Sequence, residues 1–401
     1  MKELGLLIDF YQPLIHEESI LKKIISDLHS PVVRLLKIYK ELPVSINIPL
    51  STLELWDNFG FKSLTSDIKD LYQNESHDGR IEILGSSPYG MPLVNLPESI
   101  IESQIILNEY GLSYYLGSSQ GFEGEPSLVL RDVRGFVSPF SLVNNSVIKI
   151  LSEFGYEWVE VSGDGEECGI FNVEVDNHKI SIVRTFNIDD INSITSLDSF
   201  KEKKNSPFLV KLSLSGLHKN QDFFKADYRD IVNRVELFLN DLFRFNFVFK
   251  SLSTIVESIG NNRDGNKYYG TEEKEKTDSG REVLDNFIVS MCNYISEKFG
   301  DYTYVMDKDN LSVNKIWDFR DISRINDQQL RYYLSSMIAL NKISYIIYSE
   351  YENMCEGSGL KIGNNVLNIV KVRKVEIEEI LSNVEDIEVR GKFKELIRKN
   401  S

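Results

Sequence analysis

Arg134-Gly135-Phe136-Val137-Ser138-Pro139-Phe140-Ser141-Leu142 is followed, one helix-length segment later, by Phe154-Gly155-Tyr156-Glu157-Trp158-Val159-Glu160-Val161. Leu128 to Gly135 leads into the Gly-aromatic turn, Val147 to Phe154 reads as helix, and Glu157 to Val161 reads as strand. A turn, a helix and a strand in that order make one crossover unit of a parallel sheet.

The same alternation extends outward. Leu4 to Phe10 is a buried-strand candidate, and Ser19 to Ser26 opens an amphipathic helical segment that continues past Pro31. Val44 to Ile48 reads as a second strand, and Ser51 with Glu54 three residues on has the pattern of a capping box. A helix over Leu64 to Gln73 leads to a third strand, Arg80 to Leu84, and a helix follows over 98–110. His178 to Arg184 and Phe208 to Leu214 supply two more strands. This order predicts an α/β fold with a mostly parallel sheet, either a barrel or a doubly wound sheet.

After about residue 225 the pattern becomes helical. Tyr228 to Ile259, Val283 to Phe299, Leu330 to Tyr351 and Val375 to Arg398 are rich in Phe, Leu and Ile at three-to-four spacing. Asn261 to Arg281 is nearly free of aliphatic residues and reads as a mobile loop. The expected division is a barrel-type domain over 1–225 and a helical bundle over 226–401, with the loop at 261–281.

A chain of 401 residues with 42% hydrophobic and 26% charged residues can bury a large core. Its net charge of -16 argues against nucleic acid and anionic membrane partners, because both are held by Lys and Arg. The apolar run Leu4 to Ile8 is too short for a signal segment, and no stretch reaches bilayer length. Cys168, Cys292 and Cys355 are odd in number and widely spaced, which predicts free thiols and a cytoplasmic location. The five histidines share no metal-ligand spacing, and neither a metal nor a cofactor is expected.

Five stretches in chain order resemble glycoside hydrolase family 57. Asp9-Phe10-Tyr11-Gln12-Pro13 is similar to the family's His-Gln-Pro, with Tyr11 in place of the histidine. Gly79 to Tyr89 resembles a Gly-x-x-Glu-x-x-x-Ser-Pro-Tyr strand that keeps Glu82 and Tyr89. The Pro139-Phe140 turn with the Gly155-Tyr156 strand resembles the nucleophile region, and Phe140 stands where the family has its glutamate. Phe208 to Gly216 is similar to the acid/base strand, with Ser213 and Ser215 at the carboxylate positions. Ile316 to Asp327 resembles a bundle segment carrying a Ser-Asp pair, where Asp327 is kept and Asn326 replaces the serine.

The resemblance implies an incomplete (β/α)7-type barrel followed by a C-terminal helical bundle, and an α-glucan or other oligosaccharide as ligand. It also implies lost catalysis. A retaining glycosidase needs a carboxylate nucleophile and a carboxylate acid/base about 5 Å apart, at the C-terminal mouths of the strands. A phenyl ring cannot attack an anomeric carbon.

Tyr11, Gln12, Glu82, Tyr89, Phe140, Trp158, Trp317 and Asp327 are the expected saccharide-binding residues, with Tyr11, Tyr89, Trp158 and Trp317 as stacking faces. Glu82 also reads as a hydrogen-bonded group inside its strand, since Ile81 and Ile83 point to the other face. Should hydrolysis persist, the fallback carboxylates are Glu125 with Asp164 or Glu166. A third reading fills the cleft with Phe140 and Tyr11 and makes the chain a scaffold for a protein partner.

Overall fold

Residues Glu3–Asp9 (β1) are buried on both faces, as a strand in a covered parallel sheet must be. In the computed structural model, β1 is the strand on which the sheet closes. The structure describes residues 3–12, 18–75, 80–117, 133–163, 168–188, 207–218, 227–245, 247–259, 279–299, 322–323, 325–358 and 373–399.

Helical residues Glu18–Ile24 (α1) run through a π-turn at Ile25–His29 into Ser30–Ile38 (α2). Val44–Asn47 (β2), Leu50–Asn58 (α3), Lys62–Glu75 (α4) and Ile81–Ser86 (β3) follow, and later Glu98–Leu116 (α5), Gly135–Val137 (β4), Asn145–Glu153 (α6) and Trp158–Gly163 (β5). Gly169–Val175 (β6), His178–Ile188 (β7) and Phe208–Ser213 (β8) complete the strands of the crossover series. β2, β3, β4, β5, β7 and β8 pair in parallel in that order, and both β8 and β2 pair with β1. Seven parallel strands therefore close into the expected barrel. β6 adds antiparallel to β7 through a two-residue turn, where Asp176 and Asn177 both have positive φ (48° and 67°), the conformation such hairpins favour.

Strand alternation divides the lumen into layers. Leu7, Leu84, Val137 and Val183 form an apolar belt. Above it, toward the C-terminal ends, lie Asp9, Asn47, Glu160, Thr185 and Lys211; below it lie Gly5, Ser45, Glu82, Gly135 and Trp158. Each aliphatic side chain buried in the belt contributes about 1.5–3 kcal/mol.

The floor was not expected from the sequence. Tyr228 to Ile259 reads as one helical stretch but forms Tyr228–Arg244 (α7), a short strand Val248–Lys250 (β9) and Leu252–Ile259 (α8). β9 pairs with the start of β1, and Leu252, Ile255 and Val256 of α8 pack into the cluster that holds Leu7, Trp158 and Leu209. Gly5 admits this helix because a Cβ there would press on the Leu252 and Ile255 side chains. The Ser51 capping box also does not form: α3 starts two residues earlier than that cap requires, with Pro49 at its N-cap, and the Ser51 hydroxyl is buried.

Two compact units result, and neither is continuous in sequence. One comprises 1–12, 16–86 and 129–269; the other comprises 13–15, 87–128 and 270–401. The cut differs from the expected 225/226 boundary because α8 and β9 complete the barrel, whereas α5 groups with the C-terminal helices. In the second unit, Ser279–Phe299 (α9) packs on Gln328–Ser358 (α10) and on Ile387–Lys399 (α12), with Lys374–Ser382 (α11) against α10. Phe287, Met291, Leu334, Met337 and Phe393 are among its buried side chains. The expected loop at 261–281 lies outside the described residues except for its last three, which begin α9. Among the described residues no helix is long and apolar enough to cross a membrane.

Candidate functional site at the barrel mouth

Strand mouths in parallel barrels collect chemistry because loops converge there. The last lumen-facing residue of β1 is Asp9, and the register places Asn47 of β2 directly beside it. On the other side of β1, Lys211 of the adjacent strand β8 aligns with Asn187 of β7. Lys211 Nζ lies 3.4 Å from Asp9 Oδ2 and 3.1 Å from Glu160 Oε2 of β5. Burial alone would depress the Lys211 ammonium, but Glu160 and Asp9 outweigh it and hold its pKa above the ordinary lysine value.

Both carboxylates are further anchored. Asp9 Oδ1 accepts from Asn47 Nδ2 (2.8 Å) and from the Tyr11 amide (3.0 Å). Glu160 Oε1 accepts from Thr185 Oγ1 (2.6 Å) and from Ser162 Oγ (3.3 Å). Glu160 is fully cut off from solvent, whereas Tyr11, Phe140, Ser162, Asn187 and Ser213, at or just beyond the C-terminal ends of their strands, are only half-buried. Charged groups buried this way require their partners, because an unpaired one would cost several kcal/mol.

Phe140 follows β4 directly, in a 3₁₀ turn (Pro139–Ser141), so the ring belongs to the mouth end of its strand. Its φ of 55° and the 59° of Ser141 are left-handed, a conformation that side-chain-bearing residues adopt at some cost. The turn is tied to β5, since Ser141 Oγ accepts from the Ser162 amide at 2.9 Å. Ser213 ends β8, and its hydroxyl sits 3.4 Å from that of Ser215. Neither Phe140 nor Ser213 supplies an acid. Among the described residues, the acids at the mouth are Asp9 and Glu160.

Two expected saccharide contacts lie at the opposite end of the barrel. Glu82 is the second residue of β3 and Trp158 the first of β5. Glu82 accepts from Ser45 Oγ (2.6 Å) and from the Ser253 hydroxyl and amide, while Trp158 Nε1 donates to Ser253 Oγ at 2.8 Å. Together they fasten the start of α8 to the barrel floor. Their placement has a simple cause: lumen-facing is a property of both ends of a strand, and sequence alternation does not say which end. Burial pushes the Glu82 carboxyl above the usual glutamate range, against the lowering effect of its hydroxyl donors.

Tyr89 and Asp327 belong to the second unit. Tyr89 is buried with its ring 5.8 Å from that of Tyr345. Asp327 caps α10, its Oδ1 accepting from the Leu330 amide at 3.0 Å, a helix-start role. Gln12 is buried just beyond β1. Trp317, Glu125, Asp164 and Glu166 lie outside the described residues. Among the described residues no group of three His, Cys, Asp or Glu side chains is placed to hold a metal ion.

No protein-family model matches the sequence, and no curated protein matches it. Solved structures do match by shape. A 4-alpha-glucanotransferase from Thermococcus litoralis superposes with a TM-score of 0.52 at 14% identity, covering 88% of this chain and 58% of the other. The chain thus spans less than two thirds of that enzyme's length. A GH57-type branching enzyme from Pyrococcus horikoshii gives 0.50 at 11% identity over 99% of this chain and 95% of the other. An alpha-amylase from Thermotoga maritima gives 0.51 at 9% identity over 99% and 97%. At such identities the likeness is one of fold, and function does not follow from it. The chain carries a glycoside hydrolase family 57-like fold, with a lysine-bridged pair of carboxylates at its barrel mouth.

Proposed function

We propose that this chain binds an oligosaccharide at the barrel mouth and does not hydrolyse it. The observation that supports this reading is the commitment of the two described mouth acids, Asp9 and Glu160, to the buried Lys211 ammonium. Retaining hydrolysis asks one carboxylate to attack and another to deliver a proton. An acid held as the counter-ion of a buried lysine is poorly placed for either task. Phe140, in the turn after β4, adds no third acid. The named activities of the structural neighbours, a glucanotransferase, a branching enzyme and an amylase, make α-glucans the first ligands to try.

Calorimetric titration with maltooligosaccharides, alongside chromatography of the same mixtures, tests the reading. Heat of binding with unchanged oligosaccharide lengths is the expected result. Turnover would overturn it.

A second reading is favoured by one observation, the convergence of Asp9 and Glu160 on a common atom at the strand mouths. In that reading the two acids work as a displaced catalytic pair, and turnover would vanish in both Asp9→Asn and Glu160→Gln. Turnover that survives these changes but disappears in Glu125→Gln would instead assign the chemistry to the carboxylates expected from sequence.

A further inference from the structure

The mouth of the barrel has an excess of acceptors. Among the described residues its buried charged groups are Asp9, Glu160 and Lys211, two negative and one positive. Asp9 Oδ2 and Glu160 Oε2 share the one ammonium, at 3.4 and 3.1 Å. Asn47 turns its amide nitrogen to Asp9 Oδ1, which leaves its carbonyl oxygen, Oδ1, buried with no hydrogen-bond donor although the residue is only 2% exposed. An acceptor in that condition costs about 1–3 kcal/mol unless something donates to it. Asn47 is in register with Asp9, so the unanswered oxygen and the carboxylate belong to the same lumen-facing layer.

A ligand suited to this layer brings donors and positive charge. A phosphate or carboxylate brings only acceptors and negative charge, and would meet Asp9, Glu160 and the Asn47 oxygen with repulsion. A neutral sugar hydroxyl can donate once. A protonated amine donates three times, accepts nothing, and cancels the surplus negative charge.

We propose that the saccharide taken at this mouth carries a protonated amine, an amino sugar seated against Asp9 and the Asn47 carbonyl. The inference rests on the saccharide-binding reading above and narrows its ligand. Charge-assisted hydrogen bonds of this kind are worth about 1.5–3 kcal/mol, so the amine should improve affinity about tenfold or more over a neutral counterpart.

The full chain is titrated with three probes: a glucosamine trimer, the N-acetylglucosamine trimer and maltotriose, each at low and at raised salt. The expected result is a glucosamine trimer bound about tenfold more tightly than its acetylated form, with the advantage shrinking as salt screens it. Asp9→Asn removes the charge with little change of shape and should erase the advantage. Asn47→Ser, which keeps a small polar side chain, should reduce it as an independent check. Equal or tighter binding of either neutral trimer by the wild-type chain overturns the amino-sugar assignment and leaves saccharide binding intact. Absence of binding by all three probes overturns the saccharide reading itself, and the amino-sugar assignment with it.

Discussion

Lys211 of β8 and Glu160 of β5 are fifty-one residues apart in sequence, yet Nζ and Oε2 meet at 3.1 Å in the barrel with almost no access to water. Removing one partner from such a pair is worse than removing both, because the survivor stays charged where water cannot reach it. Lys211→Met should destabilise the protein by about 3–5 kcal/mol in urea denaturation. The double variant Lys211→Met with Glu160→Gln should recover part of that loss, and failure to do so would mean the ion pair is not what the lysine contributes.

Glu82 gives the barrel floor a pH dependence. Its folded-state pKa is raised by burial, so the folded chain binds a proton here more readily than the unfolded chain. The stability this provides is fully present below the ordinary glutamate value of 4.5 and is lost as pH rises through the folded value. Glu82→Gln should flatten that part of the curve, measured as denaturation midpoint against pH. An unchanged pH profile would refute the assignment.

Gly135 lies against the Trp158 indole so closely that a Cβ would overlap the ring. Trp158 is fully buried and cannot yield without losing its hydrogen bond to Ser253. Gly135→Ala is therefore expected to cost about 1–3 kcal/mol, visible as a lowered thermal midpoint, despite alanine being the mildest substitution available.

In the helical unit, Asp386 accepts from the Glu388 and Val389 amides and from Lys298 Nζ at 2.8 Å, so it caps α12 and joins it to α9. These bonds outweigh burial and hold its carboxyl below the ordinary value of 3.8. The resulting stability is present above that value and fades as pH falls through the lowered folded-state pKa. Asp386→Ala should cost about 1 kcal/mol at neutral pH, the usual worth of a cap, and progressively less in acid.

Much of the fold was legible before any coordinates. Leu4 to Phe10, Val44 to Ile48 and Arg80 to Leu84 announce buried strands, and the helices between them require parallel pairing with crossovers. Local periodicity carries that information because side-chain direction repeats with the backbone. The Phe140 turn and the serines of β8 were legible too, as positions where the resemblance leads one to expect acids and the sequence has none. The same local rules misread Tyr228 to Ile259, where Val248–Lys250 is a strand only because β1 offers it a partner.

Sequence pattern and composition determined the mostly parallel sheet with crossover helices, the helical C-terminal region and the net negative charge, whereas the choice of a seven-stranded barrel over a doubly wound sheet came from the family resemblance. Tertiary structure alone decided that Glu160 and Lys211 face one another, that Glu82 and Trp158 secure the floor, and that Asn47 presents an unanswered oxygen at the mouth. Closing a sheet into a ring brings distant strands to the same layer, and which residues share a layer depends on register across the ring. Register is a property of pairs of strands, so no single stretch of the chain contains it.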